Sequence, residues 1–263
     1  MSVMELKTLL YELEDGIATI TLNRPDVLNA ISTDMRADFT ALTETLFFDD
    51  AVRVVVFTGA GRAFSAGGDI SHFEQDWLTP KFRANSRRLI KFFDDLEALE
   101  KPVIAAMNGA ATGGGLELAL ACDIRIASEE ATLGFRENAI GLIPGIGGCA
   151  RFVRLIGVAR AKELIFTGKM ISAREAEAMG LVNRVVPPDR LMDETRELAR
   201  TLLKRAPQSI GLAKKVLNTV ANLDQASGIV LEGLAQSILL KTEDHREGLR
   251  AFREKRKPEF KGK

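Results

Sequence analysis

The sequence predicts an α/β protein, and three features of the chain lead to this prediction. Short apolar runs with strand character alternate with helical segments through roughly the first 190 residues. The rest of the chain reads as one helix after another. Two separate strands, over residues 54–59 and 103–109, each run into a loop of small residues, where a ligand can approach the backbone closely.

A hairpin is predicted near the start of the chain. Residues 9–14 and 17–22 read as strands, because they are rich in apolar and β-branched side chains. Asp15 and Gly16 stand between them and favour the left-handed backbone of a two-residue turn. Residues 23–26 contain a proline and end the second strand.

The first helix is predicted over residues 32–48. Its apolar side chains recur at the spacing of one helix face, and they are Met35, Phe39, Leu42 and Leu46. Ser32 or Thr33 can cap the N-terminus, because a hydroxyl there accepts a hydrogen bond from a free backbone amide.

Residues 71–100 are rich in polar and aromatic side chains. We expect the first half of this segment, around Trp77 and Pro80, to be a loop that covers another part of the molecule, and the second half to be a helix. The second glycine-rich loop follows residues 103–109, and a helix of small residues is predicted over residues 114–122.

Strands and helices continue to alternate through the middle of the chain. Strands are predicted over residues 123–127, 131–135 and 182–186. Helices are predicted after residues 144–148, over 158–167 and 172–180, and repeatedly from 189 to 255. The strand–loop–helix unit recurs loosely, which indicates a fold of repeated stacked units.

Composition excludes several classes of function. Lys+Arg and Asp+Glu are both 36, so the formal net charge is zero and gives no support for a general nucleic-acid or anionic-membrane binder. No stretch approaches the roughly 20 apolar residues of a membrane span. Residues 1–7 lack the apolar core of a signal peptide, so we expect a cytoplasmic protein, with a processed organellar form as the alternative.

Two nucleotide-binding patterns match the chain incompletely. Residues 145–150 fit the glycine spacing of a dinucleotide site, but Pro144 is a poor end for a central strand and the position is far from the first strand–helix turn. A nicotinamide site there is therefore a weak candidate. Residues 167–170 lack the upstream glycine and the hydroxyl residue of a phosphate-binding loop.

Serine-nucleophile and metal chemistry also lack their usual residues. Residues 63–67 miss the first glycine of a nucleophile elbow. The chain has two histidines, His72 and His245, and they are too far apart in sequence to match a metal-binding pattern. Cys122 and Cys149 lie in apolar or glycine-rich surroundings and are expected to be reduced thiols. We therefore expect no metal site.

Two glutamates stand beside these loops in sequence. Glu117 falls in the first turn of the helix that follows three glycines, where an acid also simply suits the helix dipole. Glu137 follows a strand, and taken alone it reads as a solvated loop acid with Arg136 as a salt-bridge partner. Backbone amides can stabilise the enolate of a thioester, and two carboxyls can divide water activation from proton delivery. Together they suffice to add water to an activated double bond.

The chain resembles the enoyl-CoA hydratase/isomerase (crotonase) family over nearly its whole length. The most distinctive matches are Ala63-Phe64-Ser65-Ala66-Gly67-Gly68-Asp69-Ile70 and Gly113-Gly114-Gly115-Leu116-Glu117. Further matches are residues 22–25, 28–30, 108–109, 118–119, 122–123, 140–148, 151, 154–157, 167–168, 173, 176, 180–182, 185–186, 247–248, 252 and 255–258.

The resemblance implies a role for five positions of the reaction site. The backbone N–H groups of Ala66 and Gly114 would form the oxyanion hole. Glu117 would orient and deprotonate water, and Glu137 would protonate the α-carbon of the thioester. The backbone of Gly145 would help to hold the water.

The resemblance also implies a binding site for coenzyme A and a mode of assembly. The positions that match the family's CoA contacts are Val27, Leu28, Ala66, Asp69, Ile70, Phe252 and Lys255. The last two would reach CoA from a neighbouring subunit. The family fold is a spiral of ββα units, here residues 1–195, capped by helices that trimerise, here residues 196–263, often into a hexamer of two trimers.

The resemblance favours one activity and leaves others open. Both glutamate positions are filled, which favours reversible hydration of a trans-2-enoyl-CoA, as in fatty-acid β-oxidation, with no cofactor besides the CoA of the substrate. The alternatives are isomerisation, carbon–carbon cleavage or hydration of a specialised acyl-CoA, and a non-catalytic RNA-binding relative. Arg136 stands where the family commonly has proline, and we expect its charge to lower the pKa of Glu137 or to meet an anionic substrate group. Residues 77–83 are expected to shape the acyl pocket.

Overall fold

The computed structural model describes residues 6–263, and the expectation that the N-terminus carries no leader falls mainly on residues outside this range. Within residues 6–263 the strands form two sheets. The first sheet has the spatial order β1 (Leu9–Glu14), β2 (Ile17–Leu22), β3 (Val54–Gly59), β5 (Val103–Met107), β7 (Ile124–Ser128) and β10 (Arg184–Val186). The second has the order β4 (Ala63–Ser65), β6 (Ala110–Thr112), β8 (Thr132–Gly134) and β9 (Ile171–Ser172).

The chain alternates between the two sheets in a repeating way. β3, β5 and β7 are parallel neighbours in the first sheet, and each runs directly into β4, β6 or β8, which are parallel neighbours in the second. At least one helix follows each of these strand pairs before the chain returns. This is a spiral of ββα units, and it confirms the predicted fold class.

The helices account for most of the remaining chain. They are α1 (Thr33–Phe48), α2 (Ile70–Phe73), α3 (Thr79–Ala98), α4 (Gly114–Ala121), α5 (Gly148–Ile156), α6 (Val158–Thr167), α7 (Ala173–Ala178), α8 (Leu191–Leu203), α9 (Pro207–Val220), α10 (Gln225–Leu239) and α11 (Glu243–Glu254). Short 3₁₀ helices span Pro25–Val27, Glu137–Ile140 and Pro188–Arg190. Most predicted elements lie within a few residues of these bounds. Across residues 6–263, no helix combines the length and the apolar character that a membrane crossing requires.

Local sequence explains the predicted turn and cap. Asp15 and Gly16 both have positive φ, 51° and 82°, as a two-residue hairpin turn of this kind requires. The Ser32 hydroxyl accepts a hydrogen bond from the amide of Met35 at 3.2 Å and so caps α1.

The segment around Trp77 and Pro80 contains more helix than the sequence predicted. α2 covers residues 70–73, and α3 already begins at Thr79 with Pro80 in its first turn. The expected loop is therefore limited to residues 74–78. A proline in the first turn of a helix removes only an amide that has no partner within the helix, so it does not break the helix there.

The first sheet is buried on both faces. Val55 and Phe57 of β3 belong to the larger apolar cluster, which includes residues of α1 and α3, whereas Val54 and Val56 face a second cluster with α8. Such a strand reads as a continuous apolar run, as residues 54–57 do. Helix α8 crosses the predicted domain boundary after residue 195, so the packed core continues to the end of α8.

Candidate active site

The two glycine-rich loops lie against each other where neighbouring strands end. Gly67 has φ of 91°, and a Cβ there would lie 2.7 Å from the carbonyl oxygen of Thr112 and 3.1 Å from the amide nitrogen of Gly114. A side chain at residue 67 would force the loops apart, so glycine is required both for the backbone conformation and for the close approach.

The amide of Gly114 is oriented by the start of α4. Gly114 is the first residue of that helix, so its N–H has no acceptor within the helix. The positive end of the helix dipole adds to its attraction for a developing negative charge. This amide therefore has the properties expected of an oxyanion donor.

The amide of Ala66 has a partner within the chain. It donates a hydrogen bond to the carbonyl oxygen of Leu28 at 2.8 Å. Leu28 and Asn29 both have positive φ, 52° and 57°, and the Asn29 side chain holds this turn by donating to the carbonyl of Ala63 at 2.8 Å. The Ala66 amide can therefore bind a ligand oxygen only when the Leu28 carbonyl releases this N–H or shares it.

Glu117 is a buried carboxyl group that two backbone amides hold from one side. Its side chain extends from the first half of α4, and the residue is 2% exposed. Its Oε1 accepts hydrogen bonds from the amides of Ile146 at 2.7 Å and Gly148 at 2.9 Å. A Cβ on Gly148 would lie 2.7 Å from that oxygen, so glycine is needed for the amide to come this close.

Burial determines the acidity of Glu117. Loss of water raises its pKa to about 7, and the two amides only partly offset this effect. The charge of nearby Glu137 raises the pKa further, whereas that of Arg151 lowers it. Because its pKa is near neutral, this carboxyl can accept a proton during a reaction and give it up afterwards.

The amides of Ile146 and Gly148 were missed by sequence reasoning, which selected Gly145. Gly145 is exposed and lies one residue before the first of these donors. The available signal was the run of glycines before α5, which frees the backbone to turn its amides inward. The same contacts argue against a nicotinamide site at residues 145–150, since no strand leads into this loop and two of its amides bind Glu117.

Glu137 lies across the site, at the start of the 3₁₀ helix that follows β8. A Cβ on Gly113 would lie 2.8 Å from Glu137 Oε1, so the carboxyl rests against the second glycine-rich loop. Its Oε2 is buried and has no hydrogen-bond partner among the described residues. Burial raises the pKa of Glu137.

Arg136 does not have the predicted electrostatic effect. Its side chain is exposed, and the pKa of Glu137 is raised by burial, not lowered by the neighbouring charge. Arg136 immediately precedes the 3₁₀ helix that Glu137 begins, and the charge of Arg136 is not among the causes that shift the pKa of Glu137.

The residues predicted to contact CoA fall into two groups. Arg24 Nη1 and Asp69 Oδ2 are 2.9 Å apart, which joins the 24–28 turn to the start of α2. On these two segments Val27 and Ile70 are 46% and 58% exposed, so the rim offers apolar surface to a ligand. Hydrogen bonds with Arg24 and Ser71 lower the pKa of Asp69, which stays ionised at neutral pH.

The second group lies at the other end of the chain. Phe252 and Lys255 are at the end of α11, and Phe252 is 84% exposed. Across residues 6–263, no hydrogen bond joins α11 to either glycine-rich loop. The hydrogen bonds within one protomer therefore do not connect these two residues to the site.

Comparison with known proteins agrees with this geometry. A short-chain-enoyl-CoA hydratase of Clostridium acetobutylicum is 42% identical over 97% of this chain and 98% of its own length. A crotonyl-CoA hydratase of Syntrophomonas wolfei is 38% identical over 98% of this chain and 99% of its own length. The crystal structure of an enoyl-CoA hydratase from Bacillus anthracis superposes with a TM-score of 0.93, at 39% identity, over 98% of this chain and 100% of that one. The family model described as enoyl-CoA hydratase/isomerase matches residues 12–263, and the chain belongs to this family.

Proposed function

We propose that the protein is an enoyl-CoA hydratase that reversibly adds water to a trans-2-enoyl-CoA to give a 3-hydroxyacyl-CoA. The observation that carries this proposal is a pair of carboxyls, the buried Glu117 and the half-buried Glu137, at two facing glycine-rich loops. Burial raises the pKa of both groups, and their charges interact. The addition of H and OH across a double bond requires one carboxyl that accepts a proton and one that supplies a proton.

In the proposed reaction Glu117 acts as the base. Its Oε1 is fixed by two amides, which leaves Oε2 to accept a proton from water. The resulting hydroxide equivalent attacks the β-carbon, and the electron pair of the double bond moves onto the thioester oxygen as an enolate. The amide of Gly114 stabilises this charge, joined by that of Ala66 when Leu28 yields it. Each such donor is typically worth about 10²–10³ in rate.

Glu137 completes the addition as the acid. Its buried, unpartnered oxygen is suited to carry a proton, because burial favours the neutral carboxylic acid. The proton passes to the α-carbon, the enolate collapses to the thioester, and the product is the 3-hydroxyacyl-CoA. In the reverse direction the two groups exchange roles. The substrate itself carries CoA, and the proposed reaction uses no further cofactor or metal.

Single substitutions of the two glutamates test this assignment. Glu117→Gln and Glu137→Gln are each expected to lower kcat for crotonyl-CoA hydration by at least about 10²-fold, with KM much less affected, because proton transfer is lost while substrate contacts remain. The reaction can be followed directly by the loss of the ultraviolet absorbance of the enoyl thioester. Near-normal turnover in either variant would refute the assigned role.

Isomerisation of a double bond is the second candidate, because a single carboxyl with an unpartnered oxygen, such as Glu137, can carry a proton between two carbons. Mass spectrometry of the products from a panel of acyl-CoA substrates separates the reactions. Hydration adds about 18 mass units and isomerisation adds none. Short-chain substrates are the first to test, since two relatives are named for short-chain and crotonyl substrates.

The proposal includes a homotrimer or a hexamer of two trimers in the cytoplasm, without nucleic-acid or membrane partners. Large apolar side chains are exposed along α9 and α10 and the turn between them, and they are Leu217, Leu223, Ile229, Val230, Leu234 and Ile238. A contiguous apolar surface of this kind usually marks a protein interface. A neighbouring subunit would also supply Phe252 and Lys255 to the CoA site.

A further inference from the structure

Arg151 joins a surface helix to the loop that holds Glu117. It extends from α5, and its side chain is 7% exposed. Its Nη2 lies 2.7 Å from Asp94 Oδ1 and 2.8 Å from Glu97 Oε2, both on α3. Its Nη1 donates a hydrogen bond to the carbonyl oxygen of Ile146 at 3.1 Å. A buried guanidinium held at both ends fixes the distance between the two elements.

Ile146 contacts both Arg151 and Glu117, the proposed base. The carbonyl of Ile146 accepts from Arg151, and the amide of Ile146 donates to Glu117 Oε1 at 2.7 Å. Gly147, with φ of 92°, lies so close to the guanidinium that a side chain there would collide with it. The backbone amide of Arg151 also donates to the Gly147 carbonyl at 3.0 Å. The loop therefore follows the surface of this one side chain.

We propose that Arg151, fixed by Asp94 and Glu97, is a positioning residue that keeps the amides of Ile146 and Gly148 on Glu117. This inference rests on the proposed role of Glu117 as the base. Arg151 does not touch the reacting atoms in this account. It acts through the loop, and its two carboxylate partners keep it from turning toward Glu117 itself.

The charges around Glu117 give the direction of the expected effect. Glu137 raises the pKa of Glu117, Arg151 lowers it, and the thiol of Cys149 on α5 is near enough to be affected by both carboxylates. Removing Arg151 takes away a positive charge and loosens two amide donors, and both changes favour the neutral carboxyl. Since a base must be ionised to act, the acidic limb of the pH–rate profile should move to higher pH.

The test compares three variants with the wild-type protein. Arg151→Met removes the charge and the hydrogen bonds, and Arg151→Lys keeps the charge but lacks the two separate nitrogens that bind the carboxylates and the Ile146 carbonyl. Arg154→Gln is the matched control, because Arg154 lies on the same helix, is exposed, and contacts Asn222, in the turn between α9 and α10, at 2.9 Å. The measurement is kcat/KM for crotonyl-CoA hydration from pH 5 to 9, roughly the range in which a group of this kind titrates.

We expect the acidic limb to move upward by about one pH unit in Arg151→Met. The rate at low pH should then fall about tenfold and recover as the pH rises, with KM little changed. Arg151→Lys should move the limb less, and Arg154→Gln should not move it. A lower rate with no shift of the acidic limb, or an unchanged rate, would overturn the inference. If Arg151→Met does not fold, the pH–rate profile of Arg151→Lys is judged by the same criteria.

A second measurement does not depend on activity. Hydrogen exchange of the peptide that covers residues 144–150 should be faster in Arg151→Lys than in wild type, because the loop that carries the amides of Ile146 and Gly148 loses the hydrogen bond from Arg151 Nη1 to the Ile146 carbonyl. Unchanged exchange would count against the inference. If Glu117→Gln keeps full activity, the proposed function fails, whereas a silent Arg151 with an essential Glu117 refutes only this inference.

Discussion

Glu117 carries a stability cost that follows from its burial. Its pKa is raised from 4.5 to about 7. A carboxyl with a raised pKa contributes fully to stability below its unfolded pKa, and that contribution is lost as the pH rises through the folded pKa. The folded protein therefore loses stability at this residue between about pH 4.5 and pH 7.

Replacing Glu117 tests this loss of stability. Glu117→Gln keeps an oxygen for the amides of Ile146 and Gly148 but removes the titrating group. We expect the variant to be more stable than wild type at pH 8, by about 1–3 kcal/mol, and close to wild type at pH 5. Urea unfolding at the two pH values measures this difference. A variant that is equally destabilised at both would contradict the assigned titration.

At the scale of the elements, a second dependence of stability on pH is expected where α1 meets α2. Arg36 Nη1 lies 3.1 Å from His72 Nε2, so the arginine donates and the imidazole must be neutral to accept. Trp77 and Phe82 pack against the ring, and the Trp77 indole donates to the His72 carbonyl at 2.8 Å. Burial and the charge of Arg36 lower the pKa of His72, while Asp69 partly opposes this.

The lowered pKa of His72 predicts a loss of stability at acidic pH. An unfolded His72 binds a proton near pH 6.5 and the folded one resists it, so stability is lost as the pH falls below that value. Between pH 7 and pH 5, wild type should lose more stability than His72→Gln. This pH range is roughly the one in which an ordinary histidine titrates. Urea midpoints at both values provide the measurement. His245, whose amide the Thr242 hydroxyl caps at the start of α11, gives the matched control as His245→Gln.

Most elements could be predicted because their apolar spacing is local information. The strand over residues 54–59 and the helix capped by Ser32 were found in this way. The segment around Pro80 was misread, since proline breaks a helix interior but fits a first turn. The amides of Ile146 and Gly148 could not be predicted, because a backbone donor has no residue type and its direction depends on the completed fold.

The site was predicted in outline for a related reason. Local sequence patterns selected Glu117, Glu137 and the two glycine-rich loops, the resemblance assigned them roles, and the fold brings all four together. The sequence did not indicate which of these groups already have hydrogen-bond partners within the chain. The hydrogen bond from Ala66 to Leu28 and the anchoring of the 145–148 loop by Arg151 both join segments far apart in sequence.

At the scale of the whole molecule, α9 and α10, which follow the spiral in sequence, expose large apolar side chains. We expect a solution mass of about three or six times the 28.7 kDa chain by light scattering, since burying the exposed side chains of α9 and α10 stabilises association. Ile229→Asp with Leu234→Asp should lower that mass, whereas Phe48→Asp, an exposed residue on α1, should not. A monomer in the wild-type protein would contradict the proposed assembly.

The hydrogen bond from the Ala66 amide to Leu28 connects the expected oxyanion hole to the expected CoA site. Its acceptor belongs to Leu28, next to Val27, on the rim where the CoA portion is expected to bind. Contacts made there by a part of the substrate that does not react can move the Leu28 carbonyl and release a donor for the part that does. Binding energy from the carrier is then expressed as turnover and not as affinity, so a thioester of a short thiol would be a slow substrate even when it saturates the enzyme.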